Sequence, residues 1–133
     1  MKYVLDTNTL IYFFKGMGQV ATKLLAVSPQ ELAIPSVVLH ELEYGIAKSS
    51  LPAKRTAQLA ELCTLVEILS FGNEAARLAA SVRVQLERQG TPIGPYDLLI
   101  AGTTLASQGV LVTNNTKEFA RVPGLSLENW YPS

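Results

Sequence analysis

One cysteine, one histidine and two aspartates are all that the 133 residues hold of those types, and each scarcity closes off a class of chemistry. With Cys63 alone there is no disulfide framework, and with His40 as the sole imidazole there is neither a Cys/His zinc site nor a Cys–His nucleophilic pair. Cys63 lies among Leu59, Leu62 and Leu65 and reads as a small core residue. The chain has no glycine-rich phosphate loop of the Walker kind, which argues against an ATPase, and no Gly-x-Ser-x-Gly elbow, which argues against a serine hydrolase. No apolar run reaches the roughly 18 residues expected of a membrane span. No signal peptide is expected either, because Met1-Lys2-Tyr3 runs straight into a strand-like segment that meets an aspartate. A cytoplasmic protein is the expectation.

Excess charge is also missing. Lysine plus arginine and aspartate plus glutamate each number 11, for a formal net charge of zero. A bare nucleic-acid binder usually carries a basic excess that neutralises phosphates, so the balance weakens that class. It leaves open an enzyme that touches its substrate locally. Near-neutral charge makes solubility fragile, so a permanent partner covering apolar surface is expected.

Hydrophobic residues make up 48% and charged ones 17%, enough for residues 1–133 to fold as a single domain and too apolar for disorder. Tyr3-Val4-Leu5, Leu32-Ala33-Ile34, Leu65 to Leu69 and Val110-Val112 read as short strands, with Leu125 to Leu127 as a fifth. Between them lie helical stretches: Thr9 to Phe14, Val20 to Val27, Ser36 to about Ala47 with Ser36 as N-cap, and Pro52 to Leu62. A long helix capped by Asn73 presents the stripe Ala75, Leu78, Ala79, Val82 and Leu86 and stops at Gly90. Another starts at Pro95 and runs to about Ser107. Strands alternating with helices predict an α/β fold with a mainly parallel sheet of four to five strands and helices on both faces.

The two aspartates are the first candidates for chemistry. Asp6 directly follows the first strand and should project at the carboxyl edge of the sheet, where open α/β folds bind ligands; it is equally placed to cap the next helix. Asp97 falls in the first turn of the helix started by Pro95, where the helix dipole favours a carboxylate. The following residues, Leu98 to Gly102, are apolar all round, so this helix should be covered on most sides and Asp97 partly buried. Burying a charge without a partner costs several kcal/mol, roughly, and Gly90 to Tyr96 offer no lysine or arginine. A metal ion is the natural partner.

Glu41 has only Val37, Val38, Tyr44 and Gly45 at helical spacing, so no local ion pair accounts for it. Glu43, with Leu39, His40, Ile46 and Ala47, is in the same position, and periodicity does not choose between the two. Just after the fourth strand, Thr113 could orient a carboxylate, Asn115 could ligate a metal or water, and Glu118 could complete a cluster; the same segment also reads as an asparagine-rich turn into a short helix. Carboxylate ligands without a histidine or cysteine set select hard cations, Mg2+ or Mn2+. Such ions orient a phosphodiester and activate water for its hydrolysis.

Four segments in this order carry a resemblance: Leu5-Asp6-Thr7-Asn8, Glu41-Leu42-Glu43-Tyr44-Gly45, Gly94-Pro95-Tyr96-Asp97-Leu98-Leu99-Ile100-Ala101, and Thr113 through Phe119. Over essentially its whole length the chain resembles PIN-domain ribonucleases, and among them the VapC toxins of bacterial toxin–antitoxin pairs. The resemblance implies an acidic metal-binding triad of Asp6, Glu41 and Asp97, choosing Glu41 over Glu43 as the glutamate four residues before the glycine. It implies Asn8 and Thr113 as polar residues orienting the cluster. The sequence departs from the family at the fourth acid: many PIN domains place an aspartate two residues after the threonine, and here that residue is Asn115. Relatives ending in Lys-Glu-Phe use the glutamate instead, which is Glu118 here.

What the resemblance further implies is a Mg2+-dependent endoribonuclease acting on structured RNA such as tRNA or rRNA. A VapB-like antitoxin would block its groove, and homodimers and higher toxin–antitoxin assemblies would form. The apolar stretch Leu10 to Phe14 suits such surfaces in part. Lys15, Arg77, Arg83, Arg88 and Lys117 are candidate phosphate contacts, though scattered basic residues are more often solvated charge. Three other readings stand beside this one. A nuclease for structured DNA would differ only in its indifference to the 2′-hydroxyl. A non-catalytic module of the same fold is disfavoured by the retained Asp6 and Asp97. A metal-dependent phosphatase would normally need an aspartate pair at the first strand, where only Asp6 stands.

Overall fold

The computed structural model describes residues 1–132. Its frame is a sheet of five short parallel strands: β1 (Tyr3–Leu5), β2 (Leu32–Pro35), β3 (Glu67–Leu69), β4 (Val110–Val112) and β5 (Ser126–Glu128), in the order β3-β2-β1-β4-β5. Val4 pairs with Ala33 on one side and Leu111 on the other, which sets the register of the centre. The inner strands are continuous apolar runs because helices cover both their faces; Val4, Leu5, Ile34, Leu111 and Val112 are fully buried. The edge strands are more polar, and exposed Glu67 on β3 ion-pairs with Lys2.

The helices are α1 (Thr7–Lys15), α2 (Val20–Leu25), α3 (Ser36–Ala47), α4 (Pro52–Cys63), α5 (Asn73–Arg88), α6 (Pro95–Ser107) and α7 (Thr116–Phe119), with a 3-10 turn at Pro29–Glu31. The chain steps from β1 outward to β2 and β3, then returns across β1 to β4 and β5. With right-handed crossovers, this reversal places α1 to α4 on one face and α5 to α7 on the other. The α5 stripe Ala75, Ala79, Val82 and Leu86 is buried. It meets α6 at Gly102, where a Cβ would stand 2.6 Å from the Ala75 carbonyl oxygen and 2.8 Å from the Ala79 Cβ. Only a glycine lets the two helices approach this closely. Among the described residues no helix is long and apolar enough to cross a membrane.

Several local expectations need correction. Ser36 and Asn73 are the first helical residues rather than the caps; Pro35 and Gly72 hold the cap positions, without side-chain cap bonds. Strand β2 runs directly into α3, leaving no residue between them to cap, and the Gly72 carbonyl already accepts from the Ala76 N–H at 2.9 Å. The third strand begins at Glu67, because Leu65 lies in a turn with its N–H bonded to the Leu62 carbonyl at 3.0 Å. Cys63 is half-buried against the core. The stop at Gly90 is as expected: it takes φ +71°, and the Thr91 N–H reaches back to the Leu86 carbonyl at 2.9 Å.

Candidate active site

Strands β1 and β4 are neighbours whose onward connections leave in opposite directions, so a crevice opens between their carboxyl ends. Asp6 and Thr113 are the residues that follow those two strands. The Asp6 N–H continues the ladder to the Val112 carbonyl at 3.2 Å, and the Thr9 hydroxyl donates to the same carbonyl at 3.0 Å. The Asp6 side chain accepts from the Thr9 N–H at 2.9 Å, which makes it the N-cap of α1, and it also faces this crevice. The capping reading of Asp6 is thus met, at the carboxyl edge of the sheet. It is only 6% exposed. Burial pushes its carboxyl pKa up, opposed by hydrogen bonding from Thr113 and Thr9.

Three further carboxylates come from separate elements, and the charges of Glu118, Glu41 and Asp6 all act on Asp97. Asp97 is the third residue of α6, half-buried, and its pKa is pushed up to about 7. Burial is the largest cause, followed by hydrogen bonding with Glu118 and the negative charges of Glu118, Glu41 and Asp6. Gly94 lies beside it: a Cβ there would stand in ordinary contact with the Asp97 Oδ2, at 3.5 Å. Glu41 lies in the second turn of α3, where its Oε1 accepts from the Thr7 hydroxyl at 2.8 Å. Glu43 is exposed, and the charge it presents falls on Cys63, whose thiol pKa is raised first by burial and then by Glu43. Glu41 is thus the glutamate that faces Asp97.

Glu118 on α7 is held from two sides, by the Gly94 N–H at 3.2 Å and by the Asn115 Nδ2 at 3.1 Å. Burial pushes its pKa up, but Asn115, Gly94, Asp97 and the Arg121 guanidinium together outweigh burial and hold it below the usual range. Asn115 and Glu118 thus lie side by side, with the amide donating to the carboxylate. Thr113, fully buried, accepts the Asn115 N–H at 2.9 Å, tying this loop back to Asp6. Asn8 is exposed on the first turn of α1 and makes no side-chain hydrogen bond among the described residues. Its implied orienting role has no counterpart in this geometry.

The cluster has little cationic compensation. Among the described residues no lysine or arginine forms an ion pair with any of its four acids. Arg121 acts on Glu118 through its charge, but its guanidinium donates to the Pro92 carbonyl at 3.1 Å. Nor do three acids already stand at chelating distance from one another. All-oxygen donors in an open arrangement fit a hard cation that keeps part of its water shell, as Mg2+ does, better than a closed protein cage.

Of the candidate phosphate contacts, Arg83 is paired with Glu87, and Arg77, Arg88 and Lys117 are simply exposed. Lys15 lines a groove of about 200 Å³ that starts at Glu41 and includes Ile11, Phe14, Ile46 and Arg55. Thr7 and Gly94 lie inside the segments that carry the resemblance, but the sequence assigned no role to them, nor to Arg55 or Arg121. Arg121 left a spacing signal, being three residues after Glu118 on a short helical turn.

Comparison with known proteins places the fold in a family. A family match to the PIN domain covers residues 3–125. The chain is 37% identical over 130 residues to the tRNA(fMet)-specific endonuclease VapC of Salmonella typhimurium, covering 98% of each. It is 39% identical over 132 residues to ribonuclease VapC2 of Rickettsia felis, again covering 98% of each. Among solved structures, VapBC2 from Rickettsia felis bound to a promoter DNA fragment superposes with a TM-score of 0.90 at 38% identity, covering 98% of this chain and 99% of that one. The DNA-bound VapBC of Salmonella typhimurium gives a TM-score of 0.90 at 37% identity, covering 98% of each chain. The chain belongs to the PIN-domain family and, within it, to the VapC ribonucleases.

Proposed function

We propose that this VapC protein is a Mg2+-dependent endoribonuclease toxin that hydrolyses phosphodiester bonds in structured RNA, tRNA or rRNA, in the cytoplasm. The observation that carries the reading is the convergence of Asp6, Glu41, Asp97 and Glu118 with no ion-paired cation among the described residues. Such a cluster repels itself and is costly to fold around unless a cation joins it. Asp6, Glu41 and Asp97 would hold Mg2+, or Mn2+ as a substitute, with Glu118 as a fourth acid. A bound divalent cation supplies a Lewis acid that makes water nucleophilic near neutral pH and offsets charge developing on the phosphate.

The chain's own contribution is orientation. The Thr7 hydroxyl fixes the Glu41 carboxylate, Thr9 and Thr113 fix Asp6, and Asn115 with the Gly94 N–H fixes Glu118. Holding acceptors in place before the substrate arrives removes reorganisation from the reaction itself. Asp97, the least restrained of the four, retains a proton near neutrality that it would yield on binding a cation.

The antitoxin reading has its own support. Beside the groove at Glu41 lies an apolar one of about 370 Å³ lined by Phe13, Phe14, Leu24, Leu25, Leu62 and Leu65. Leu25 is 75% exposed and Leu65 58%, surface that an isolated chain would gain from covering. A VapB-like antitoxin would cover this surface and reach the acids along the neighbouring groove, and homodimers would join into the larger assembly.

The test is cleavage of total cellular RNA by antitoxin-free protein, with Mg2+ or with chelator, beside Asp97→Asn. Discrete fragments that need the metal and vanish in the variant are expected. Undiminished cleavage by the variant would sink the assignment, and cutting of structured DNA instead would move the substrate.

A further inference from the structure

The two exposed aromatic side chains of the described residues, Tyr96 (48%) and Tyr44 (61%), and the only histidine all lie beside the acidic cluster. His40 directly precedes Glu41 on α3, and Tyr96 directly precedes Asp97 on α6, so each has its Cα about 3.8 Å from that of an acid. Their rings meet across the α3–α6 contact, with centroids 5.8 Å apart and planes inclined by 58°. One helical turn from His40 comes Tyr44, and one turn further Lys48, all exposed. The Lys48 ammonium stands 4.8 Å from the Tyr44 ring centroid and 3.3 Å from its hydroxyl oxygen. The ribbon from His40 to Lys48 runs about 12 Å along the helix.

This placement has no explanation in the core, because every other tyrosine, phenylalanine and tryptophan is buried or half-buried. It answers a difficulty of the active site instead. An RNA strand brought to four carboxylates meets repulsion, and a protein of zero net charge has no overall basic excess to offset it. Aromatic faces bind unpaired bases without needing positive charge, and any base will do because each has a π-face.

We propose that Tyr96, His40, Tyr44 and Lys48 form a track for single-stranded RNA along α3, leading away from the acids. The rings stack unpaired bases next to the scissile phosphate, and Lys48 meets the backbone. Paired bases offer no free face, so the ribbon should hold a single strand better than a duplex of the same sequence. The inference rests on the ribonuclease reading for what is cut, but binding tests it separately.

The experiment uses the full chain carrying Asp97→Asn, in Mg2+, and a single-stranded RNA oligonucleotide containing 2-aminopurine, with a duplex of the same sequence as comparison. Stacking should quench the fluorophore on the single strand. Tyr96→Ala and Tyr44→Ala should each weaken binding about 5- to 150-fold and relieve the quench, while the phenylalanine variants restore both. Lys48→Ala should flatten the salt dependence, lowering the slope of log K against log salt by about 0.7. Alanine variants that bind within twofold of the parent with the quench intact overturn the track, as does failure of the parent to bind, or equal binding of the duplex. Unchanged RNA binding with altered sedimentation would also overturn it and make the ribbon a protein interface. RNA binding that follows this pattern in a protein whose wild type cuts no RNA sinks the nuclease reading and leaves the track standing.

Discussion

Removing the charge of Asp97 should make the metal-free protein more stable while abolishing cleavage. In the native state the Asp97 pKa is pushed from 3.8 to about 7, so the fold disfavours the ionised carboxylate. Between these two values the native protein binds more protons at this site than the unfolded chain does. Stability therefore falls as pH rises from about 4 to about 7, and the loss is complete above that. Taken whole, the shift of roughly 3 units corresponds to a ceiling of about 4 kcal/mol. The group is only half-buried, and solvent screening reduces this to about 1–2 kcal/mol. The Asp97→Asn variant would give up a favourable charge in the first turn of α6, about 0.5 kcal/mol, and its new amide could donate to Glu118 in place of the shared proton. The expected net gain is about 1 kcal/mol at pH 8, or a rise in melting temperature of about 3–5 °C for a chain of this size. Thermal unfolding in chelator at pH 5, 6, 7 and 8 reads it directly. The wild type should lose ground to the variant as pH rises, and excess Mg2+ at pH 8 should reverse the order by stabilising the wild type alone. A variant that melts at or below the wild type throughout this range in chelator refutes the argument from like-charge crowding.

Glu118→Gln and Asn115→Asp, measured side by side, separate a carboxylate that works from an amide that positions it. Glu118→Gln should lower metal-dependent cleavage, and Asn115→Asp should both remove the bond that holds Glu118 and add charge to the cluster, lowering the metal-free melting temperature. If neither changes activity or metal dependence, the fourth acid is structural only. Thr7→Val deletes the hydrogen bond to Glu41 with little change of shape, and should reduce cleavage without loss of fold, checked by activity beside circular dichroism. Gly102→Ala forces a methyl into the Ala75 carbonyl and Ala79, and should cost about 1–2 kcal/mol despite alanine's better helix propensity, read as a lower urea midpoint with unchanged slope.

The order of elements, the parallel sheet and the two aspartates were legible in the sequence because their signals are local. A Pro at the first helical position, a Gly in the left-handed region and an apolar run that ends at a carboxylate are each decided within a few residues. Caps at Ser36 and Asn73 were misread for the same reason: a good capping side chain was present, but the neighbouring strand or carbonyl already occupied the role. Glu41 and Glu43 look alike by helical spacing; the resemblance chose Glu41, and the approach of α1, which brings the Thr7 hydroxyl to Glu41 and leaves Glu43 in solvent, gives the physical difference. The relation of Asn115 to Glu118, the Gly94 N–H that reaches Glu118 and the nearness of Arg121 are likewise products of packing. The sequence by itself determined which strands and helices form and which acids end them. The tertiary structure decided which acids face one another, because charge repulsion, burial and hydrogen bonding act through space and depend on a reversal of strand order that no local pattern encodes.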